Sequence, residues 1–215
     1  MKKIFVVLAL FILFSDHLNA QLNKFQEDVE TIKKYDKIYE PAKNTILFVG
    51  SSSIRKWIGF QTTFGNLNVL NRGVGGTITD DITYFLPDLV FPYQPRQIVL
   101  YVGENDLPKQ TADSIYLKTV KLLAAIRAKM PTVPILYIAI KPSPVREQYL
   151  PKAVTANRLI SDYVKKMPNM EFLDIYSIML SKEGKTRPEL FLQDMLHMNQ
   201  QGYDIWNKAI RPKLK

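Results

Sequence analysis

Three consecutive serines, Ser51, Ser52 and Ser53, follow the apolar run Ile46–Val49 and the glycine that closes it, Gly50. A hydroxyl on a small-residue turn at the C-terminal end of a buried strand stands where open α/β sheets bind ligands. The helix start behind it brings N–H groups that lack an intrahelical acceptor, and a positive dipole end. One of the three is therefore a candidate nucleophile. The competing reading is that they cap the helix, since serine is a favoured N-cap residue. A serine hydroxyl needs a base. The chain has two histidines, His17 and His197. His17 falls in a segment with the features of an export signal, so His197 is the one imidazole expected in the mature chain. Asp194 stands three residues before it. That spacing lets a carboxylate fold back onto the imidazole N–H and fix its tautomer. The competing readings are a surface or core histidine and a capping aspartate.

These groups need a scaffold that brings them to one edge. Thr45–Gly50, Asn68–Asn71, Gln97–Val102, Pro134–Ile140 and Glu171–Ile175 read as strands, and most are short apolar runs of the kind buried in parallel sheets. Helical spacing occupies 22–40, Asp80–Val90, Thr111–Met130, about 149–167 and Gln200–Ile210. The first of these is expected to end at Pro41 and to pack on the outside of the sheet. Strands alternating with helices imply βαβ crossovers and a mainly parallel sheet. In such a sheet the strand ends share one edge. The serine turn, the turn Gly73-Val74-Gly75-Gly76 and the turn Gly103-Glu104-Asn105-Asp106 then converge. A hydroxyl, glycine N–H groups and an Asn amide are the inventory of a serine nucleophile with an oxyanion hole.

Composition narrows the classes. The chain has 215 residues and no cysteine. Lys2 and Lys3 followed by the apolar stretch Ile4–Phe14 and a polar segment to Ala20 predict a signal peptide over residues 1–20, cleaved near Ala20. The apolar stretch is shorter than a membrane span, and no cysteine is present to carry a lipid anchor after the cut. The expectation is a single domain over 21–215, periplasmic or secreted, with no stable membrane anchor. No disulfide can form, so the core must suffice alone. The formal charge is +9, or +8 once Lys2, Lys3 and Asp16 leave with the signal. The basic residues are spread along the chain without a run or an aromatic-interleaved patch, which argues against a nucleic-acid partner and for a solvated basic surface. One histidine and no cysteine give no zinc site. Gly184-Lys185-Thr186 lacks the upstream glycine and strand of a phosphate-binding loop, and Gly50–Ile54 lacks the closing glycine of a Gly-x-Ser-x-Gly elbow. The oligomeric state is not written in the sequence.

Gly50-Ser51-Ser52-Ser53, Asn71-Arg72-Gly73-Val74-Gly75-Gly76, Gly103-Glu104-Asn105-Asp106 and Asp194-Met195-Leu196-His197 occur in the order and approximate spacing of the four motif blocks of the SGNH/GDSL hydrolases. The chain resembles that family from about Lys43 to its C-terminus, and most of all its branch of platelet-activating-factor acetylhydrolase subunits and bacterial acetylesterases. The resemblance implies a three-layer α/β/α sandwich on a five-stranded parallel sheet, flavodoxin-like in character, with no cofactor or metal. It implies Ser52 as nucleophile, His197 as base and then acid, and Asp194 as its orienting partner. The oxyanion hole would be the N–H groups of Ser52 and Gly76 with the side-chain amide of Asn105. One position departs from the family: Ser51 stands where it has Asp. That opens the register, so that Ser51 or Ser53 could instead carry the exposed hydroxyl.

Arg55, Trp57, Arg72, Glu104 and Arg146 fall near the same edge and are candidates to hold substrate, with ion pairs and packing that brace the loops as the alternative. The expectation is an exported serine esterase acting on short acyl esters, acetyl above all, of a small molecule or carbohydrate. A lysophospholipase or thioesterase on the same scaffold, and a non-catalytic carbohydrate-binding protein, are the alternatives.

Overall fold

The structure is a computed structural model that describes residues 24–215. The expected signal peptide, its cleavage point near Ala20, His17 and the first two residues of the expected helix over 22–40 lie outside the described residues. The chain divides at Glu40. Before that point a helix, α1, covers residues 24–39. On it Glu30 accepts from Gln26 one turn earlier, at 3.1 Å, and from Lys33 at 2.9 Å.

From Pro41 to Lys215 the chain is an α/β unit. Its strands are β1 (Ile46–Gly50), β2 (Val69–Gly73), β3 (Gln97–Tyr101), β4 (Ile135–Ile138) and β5 (Met170–Leu173). They form one sheet in the order β2-β1-β3-β4-β5, and every pairing is parallel. The central strands β1, β3 and β4 are buried at every position, which is why their sequences, after Gln97 at the start of β3, are apolar runs rather than alternations. Alternate side chains serve opposite faces. Ile46, Phe48, Val99, Tyr101, Leu136 and Ile138 join one large core with Trp57, Phe60, Phe64, Tyr203 and Trp206. The intervening Leu47, Val49, Ile98 and Leu100 are equally buried on the other side. Helices cover both faces, giving the three-layer α/β/α sandwich.

The crossovers are α2 (Ser52–Arg55) and α3 (Phe60–Phe64), then α4 (Thr79–Tyr84) and α5 (Leu86–Leu89), then α6 (Ala112–Lys129) and α7 (Leu150–Val164). A short α8 (Ile175–Ile178) follows β5, and α9 (Gln200–Ile210) closes the unit. The helix expected over Asp80–Val90 is in fact two, broken at Phe85. Pro87 is the cause. It has no N–H to give the carbonyl of Thr83, and its ring would collide with that carbonyl, so one helix must end and another begin with Pro87 in its first turn. The helix expected over 149–167 is shorter, and Pro144–Tyr149 before it winds as a 3-10 segment.

Candidate active site

β1 delivers the three serines to the C-terminal edge of the sheet, and only one of them faces outward. Ser51 and Ser53 are 2% and 1% exposed, whereas Ser52 is only partly covered. Burial therefore singles out Ser52 among the three. Ser52 is the first residue of α2, so its own N–H has no acceptor within that helix. α2 has only four residues. The dipole anticipated for a helix start is correspondingly slight, and what remains is the individual N–H groups.

β2 ends in the glycine turn, and two close approaches bring it to the serine. A Cβ on Gly73 would stand 2.3 Å from the backbone nitrogen of Arg55, so the end of β2 lies directly against α2. A Cβ on Gly75 would stand 3.9 Å from Cβ of Ser52. Asn71 braces this contact from both ends of its amide, donating to the carbonyl of Ile54 at 2.7 Å and accepting from the N–H of Gly73 at 2.9 Å. Gly76 is exposed and holds φ at +84°, a conformation that favours glycine. β3 leads into Gly103–Asp106. Asn105 donates one amide hydrogen to the carbonyl of Thr77 at 3.1 Å, beside Gly76. This fixes the amide and leaves its second hydrogen for another acceptor. Asp106, 1% exposed, accepts from the N–H and hydroxyl of Thr79 and so satisfies the start of α4. Burial pushes its carboxyl up to about 6, against the lowering effect of Thr79 and Lys118.

Asp194 and His197 form the second half. His197 Nδ1 and Asp194 Oδ2 are 2.6 Å apart, and Asp194 Oδ1 accepts from the backbone N–H groups of Leu196 and His197 at 3.0 and 2.9 Å. Partial burial works to raise the Asp194 carboxyl. The bond to His197 and the two backbone donors outweigh it and hold the group well below the usual carboxylate range. The turn is anchored on two sides. Val145 donates its N–H to the carbonyl of Met195 at 3.1 Å. Asn199, which caps α9, ties the following segment back to Glu189 and Phe191. α9 in turn is fastened to the serine turn, because the Tyr203 hydroxyl donates to the carbonyl of Ser53 at 3.1 Å and Trp57 Nε1 donates to Asn207 at 3.1 Å.

Of the residues expected to hold substrate, two are placed elsewhere. Trp57 is 5% exposed, enclosed by Phe48, Phe60, Phe64, Tyr203 and Trp206, so it is a core residue. Glu104 is 3% exposed and is engaged internally, within 2.6 Å of Lys141 Nζ through both oxygens, and accepting from Ser143 and, at 3.0 Å, from the Tyr101 hydroxyl. Both brace the loops instead of facing outward. Arg72 is likewise engaged, with Tyr93 and its neighbour's carbonyl. Arg55 is exposed, its side chain passing over Gly75, and Arg146 is part-buried beside Lys141.

Lys141 and Ser143 were not anticipated. Burial pushes the Lys141 ammonium down, while Glu104 holds it charged. A signal did exist: Glu104 and Lys141 follow two strands, an acid and a base just past apolar runs. Reading it requires knowing that β3 and β4 are neighbours. Among the described residues, no group of acidic, histidine or cysteine side chains is arranged to hold a metal ion.

Residues 49–205 match the model of the GDSL-like lipase/acylhydrolase family. No curated protein matches the sequence. Solved structures resemble the fold. A Streptococcus pneumonia protein named for platelet activating factor gives a TM-score of 0.79 at 21% identity, covering 94% of this chain and 99% of that one. A GDSL-like lipase from Bacteroides thetaiotaomicron gives 0.72 at 18% identity, covering 86% and 96%. A catalytic mutant of an acetylxylan esterase from Geobacillus stearothermophilus gives 0.64 at 15% identity, covering 81% and 96%.

Proposed function

The chain belongs to the GDSL-like lipase/acylhydrolase family and is a carboxylic ester hydrolase; we propose that within it the chain is an exported serine esterase for short acyl esters, acetyl in the first place, carried by a small molecule or a carbohydrate. Ser52 Oγ attacks the ester carbonyl and His197 Nε2 takes the hydroxyl proton. The oxyanion is received by the N–H groups of Ser52 and Gly76 and the free amide hydrogen of Asn105. As the tetrahedral species collapses, the C–O bond to the alcohol breaks and His197 returns the proton to the departing oxygen. Water, deprotonated by the same imidazole, then cleaves the acyl-Ser52 ester and regenerates the hydroxyl. Asp194 holds the imidazole in the tautomer that leaves Nε2 free and stabilises the imidazolium. No step calls for a metal or cofactor.

The observation that carries this reading is the Asp194–His197 pair. A carboxylate fixed by two backbone donors meets Nδ1 at 2.6 Å, on the one histidine among the described residues. The exposure of Ser52 beside Gly75 supports its role as nucleophile. The acetyl preference draws on the acetylxylan esterase among the structural neighbours, and export on residues 1–20. Among the described residues no helix is long and apolar enough to cross a membrane.

The test is hydrolysis of 4-nitrophenyl acetate by the chain beginning at Gln21, compared with Ser52→Ala and with labelling by a serine-directed phosphonate. Loss of about 10³-fold or more in kcat, together with loss of the label, is expected. Undiminished turnover by Ser52→Ala would remove Ser52 from the mechanism.

A second reading has its own support. Val145, Leu192 and Met195 are 50%, 44% and 38% exposed, and all three belong to or touch the Asp194–His197 turn. Exposed apolar side chains at this turn suit a long-chain or lysophospholipid ester. A series of 4-nitrophenyl esters from acetyl to palmitoyl separates the two: kcat/KM falling with chain length supports the short-acyl reading, and a rise supports the second.

A further inference from the structure

Arg146 sits in the loop after β4, next to the turn that holds His197. Its neighbours are committed to internal bonds: Ser143 to Glu104, and Val145 N–H to the carbonyl of Met195. The backbone N–H of Arg146 donates to Ser143 at 2.9 Å. Its side chain differs from theirs. The residue is part-buried, and Nε is buried with no hydrogen-bond partner. An enclosed N–H without an acceptor is unfavourable, and on a cation more so.

The surrounding charges sharpen the point. Arg146 lies close enough to Lys141 to disfavour its ammonium form, so two cations share this corner. Both carboxylates nearby are taken. Glu104 is occupied by Lys141, Ser143 and Tyr101, and Asp194 by His197 and two backbone donors. Glu147, next in the chain, is exposed, and among the described residues no carboxylate pairs with Arg146. Arg146 is thus left as a guanidinium with unused donors and no carboxylate partner among the described residues.

Its position relative to the reaction follows from proton transfer. The imidazole must hand its proton to the departing alcohol, so the alcohol half of the ester lies on the His197 side of the site, and the loop that carries Arg146 is bonded to the His197 turn through Val145. The donors on Ser52, Gly76 and Asn105 face the acyl oxygen. Resting on the esterase reading above, we propose that Arg146 is a subsite for an anionic group on the alcohol half of the substrate, a carboxylate such as an acylated uronic acid carries. Because Nε is enclosed, the two Nη groups of the guanidinium fork are the ones that would receive a carboxylate end-on, through two parallel hydrogen bonds. A phosphate monoester offers related chemistry, and substrates tell the two apart.

The experiment compares 3-(carboxymethyl)phenyl acetate with its methyl ester, and with 3-(phosphonomethyl)phenyl acetate. The methylene insulates the phenol, so the three leaving groups have similar acidity. The wild-type chain is expected to favour the carboxylate over the methyl ester by about tenfold in kcat/KM, mostly through KM. Added salt should shrink that advantage. Arg146→Gln should bring the ratio to about one, and Arg146→Lys should keep part of it, because the charge survives while the fork is lost. A larger preference for the phosphonate would overturn the carboxylate assignment. Equal rates on the carboxylate and its methyl ester in the wild type, needing no variant to fold, would sink the subsite and leave the esterase standing. A preference untouched by Arg146→Gln would also sink it. Turnover of none of the esters would remove the esterase reading and this one with it.

Discussion

Asp194 shows how one side chain is held in a single ionisation state. Oδ1 is saturated by two backbone N–H groups, so the carboxylate cannot rotate away, and Oδ2 is left for His197. Its carboxyl is held well below the usual range, so it stays charged throughout any pH at which the enzyme would be assayed. The sign is that of a depressed acid. The stabilisation exists above the unfolded carboxylate range and is lost as pH falls through the folded value, and the half-exposed side chain weakens it through solvent screening. The charge therefore matters more to the imidazole than to the fold. Asp194→Asn keeps the size and loses the charge. It is expected to lower kcat on 4-nitrophenyl acetate by about 10³–10⁴-fold, as loss of this member does in triads of this kind. The melting temperature should move by only a few degrees. A kcat within tenfold of the wild type would show that the pair is not part of the reaction path.

At the scale of elements, the site depends on backbones meeting more closely than side chains allow. Gly50 ends β1 at φ +149°, and a Cβ there would lie 1.9 Å from the carbonyl oxygen of Tyr101 on β3. Gly73 gives the matching approach of β2 to α2. Gly50→Ala must push β1 from β3 or swing α2 outward. A loss of at least about 3 kcal/mol in urea unfolding is expected, with esterase activity falling further than the folded fraction does, because Ser52 rides on α2. A stable, active Gly50→Ala would refute the account of this turn. The sequence announced these glycines as strand ends because each interrupts an apolar run. Element type was legible in the same way: β1, β3 and β4 are buried on both faces, and the one strongly polar residue among them, Gln97, stands at the start of β3. Local chemistry was also legible, since Asp194 and His197 lie within one turn of chain. What could not be read were contacts created by strand order. Glu104 and Lys141 meet because β3 and β4 are adjacent, and Trp57 is enclosed because α9 returns from 150 residues away. The break at Phe85 was legible in principle, for Pro87 was in view.

At the scale of the whole molecule, pH is the variable that reports how buried charge was arranged, and Asp106 is the group to watch. It anchors the start of α4 to the β3 loop, almost wholly removed from solvent, and burial raises its carboxyl to about 6 against the ordinary 3.8. The native state thus holds this proton more tightly than the unfolded chain does. Between about pH 4 and pH 6 the native state binds more protons, so its stability falls as pH rises, opposite in direction to the contribution of Asp194. Below the unfolded value the protonated carboxyl contributes in full; above about 6 that contribution is gone. At about 1.4 kcal/mol per unit, the window corresponds to roughly 3 kcal/mol. Asp106→Asn isolates the effect, because an amide keeps an oxygen for the Thr79 donors and never ionises. Urea unfolding of wild type and variant at pH 4, 5, 6 and 7 should show the variant gaining on the wild type steadily across the series, with most of the gain between 4 and 6. A gap that stays constant with pH would mean that Asp106 carries an ordinary carboxyl, and that Lys118 and the Thr79 donors compensate its burial in full.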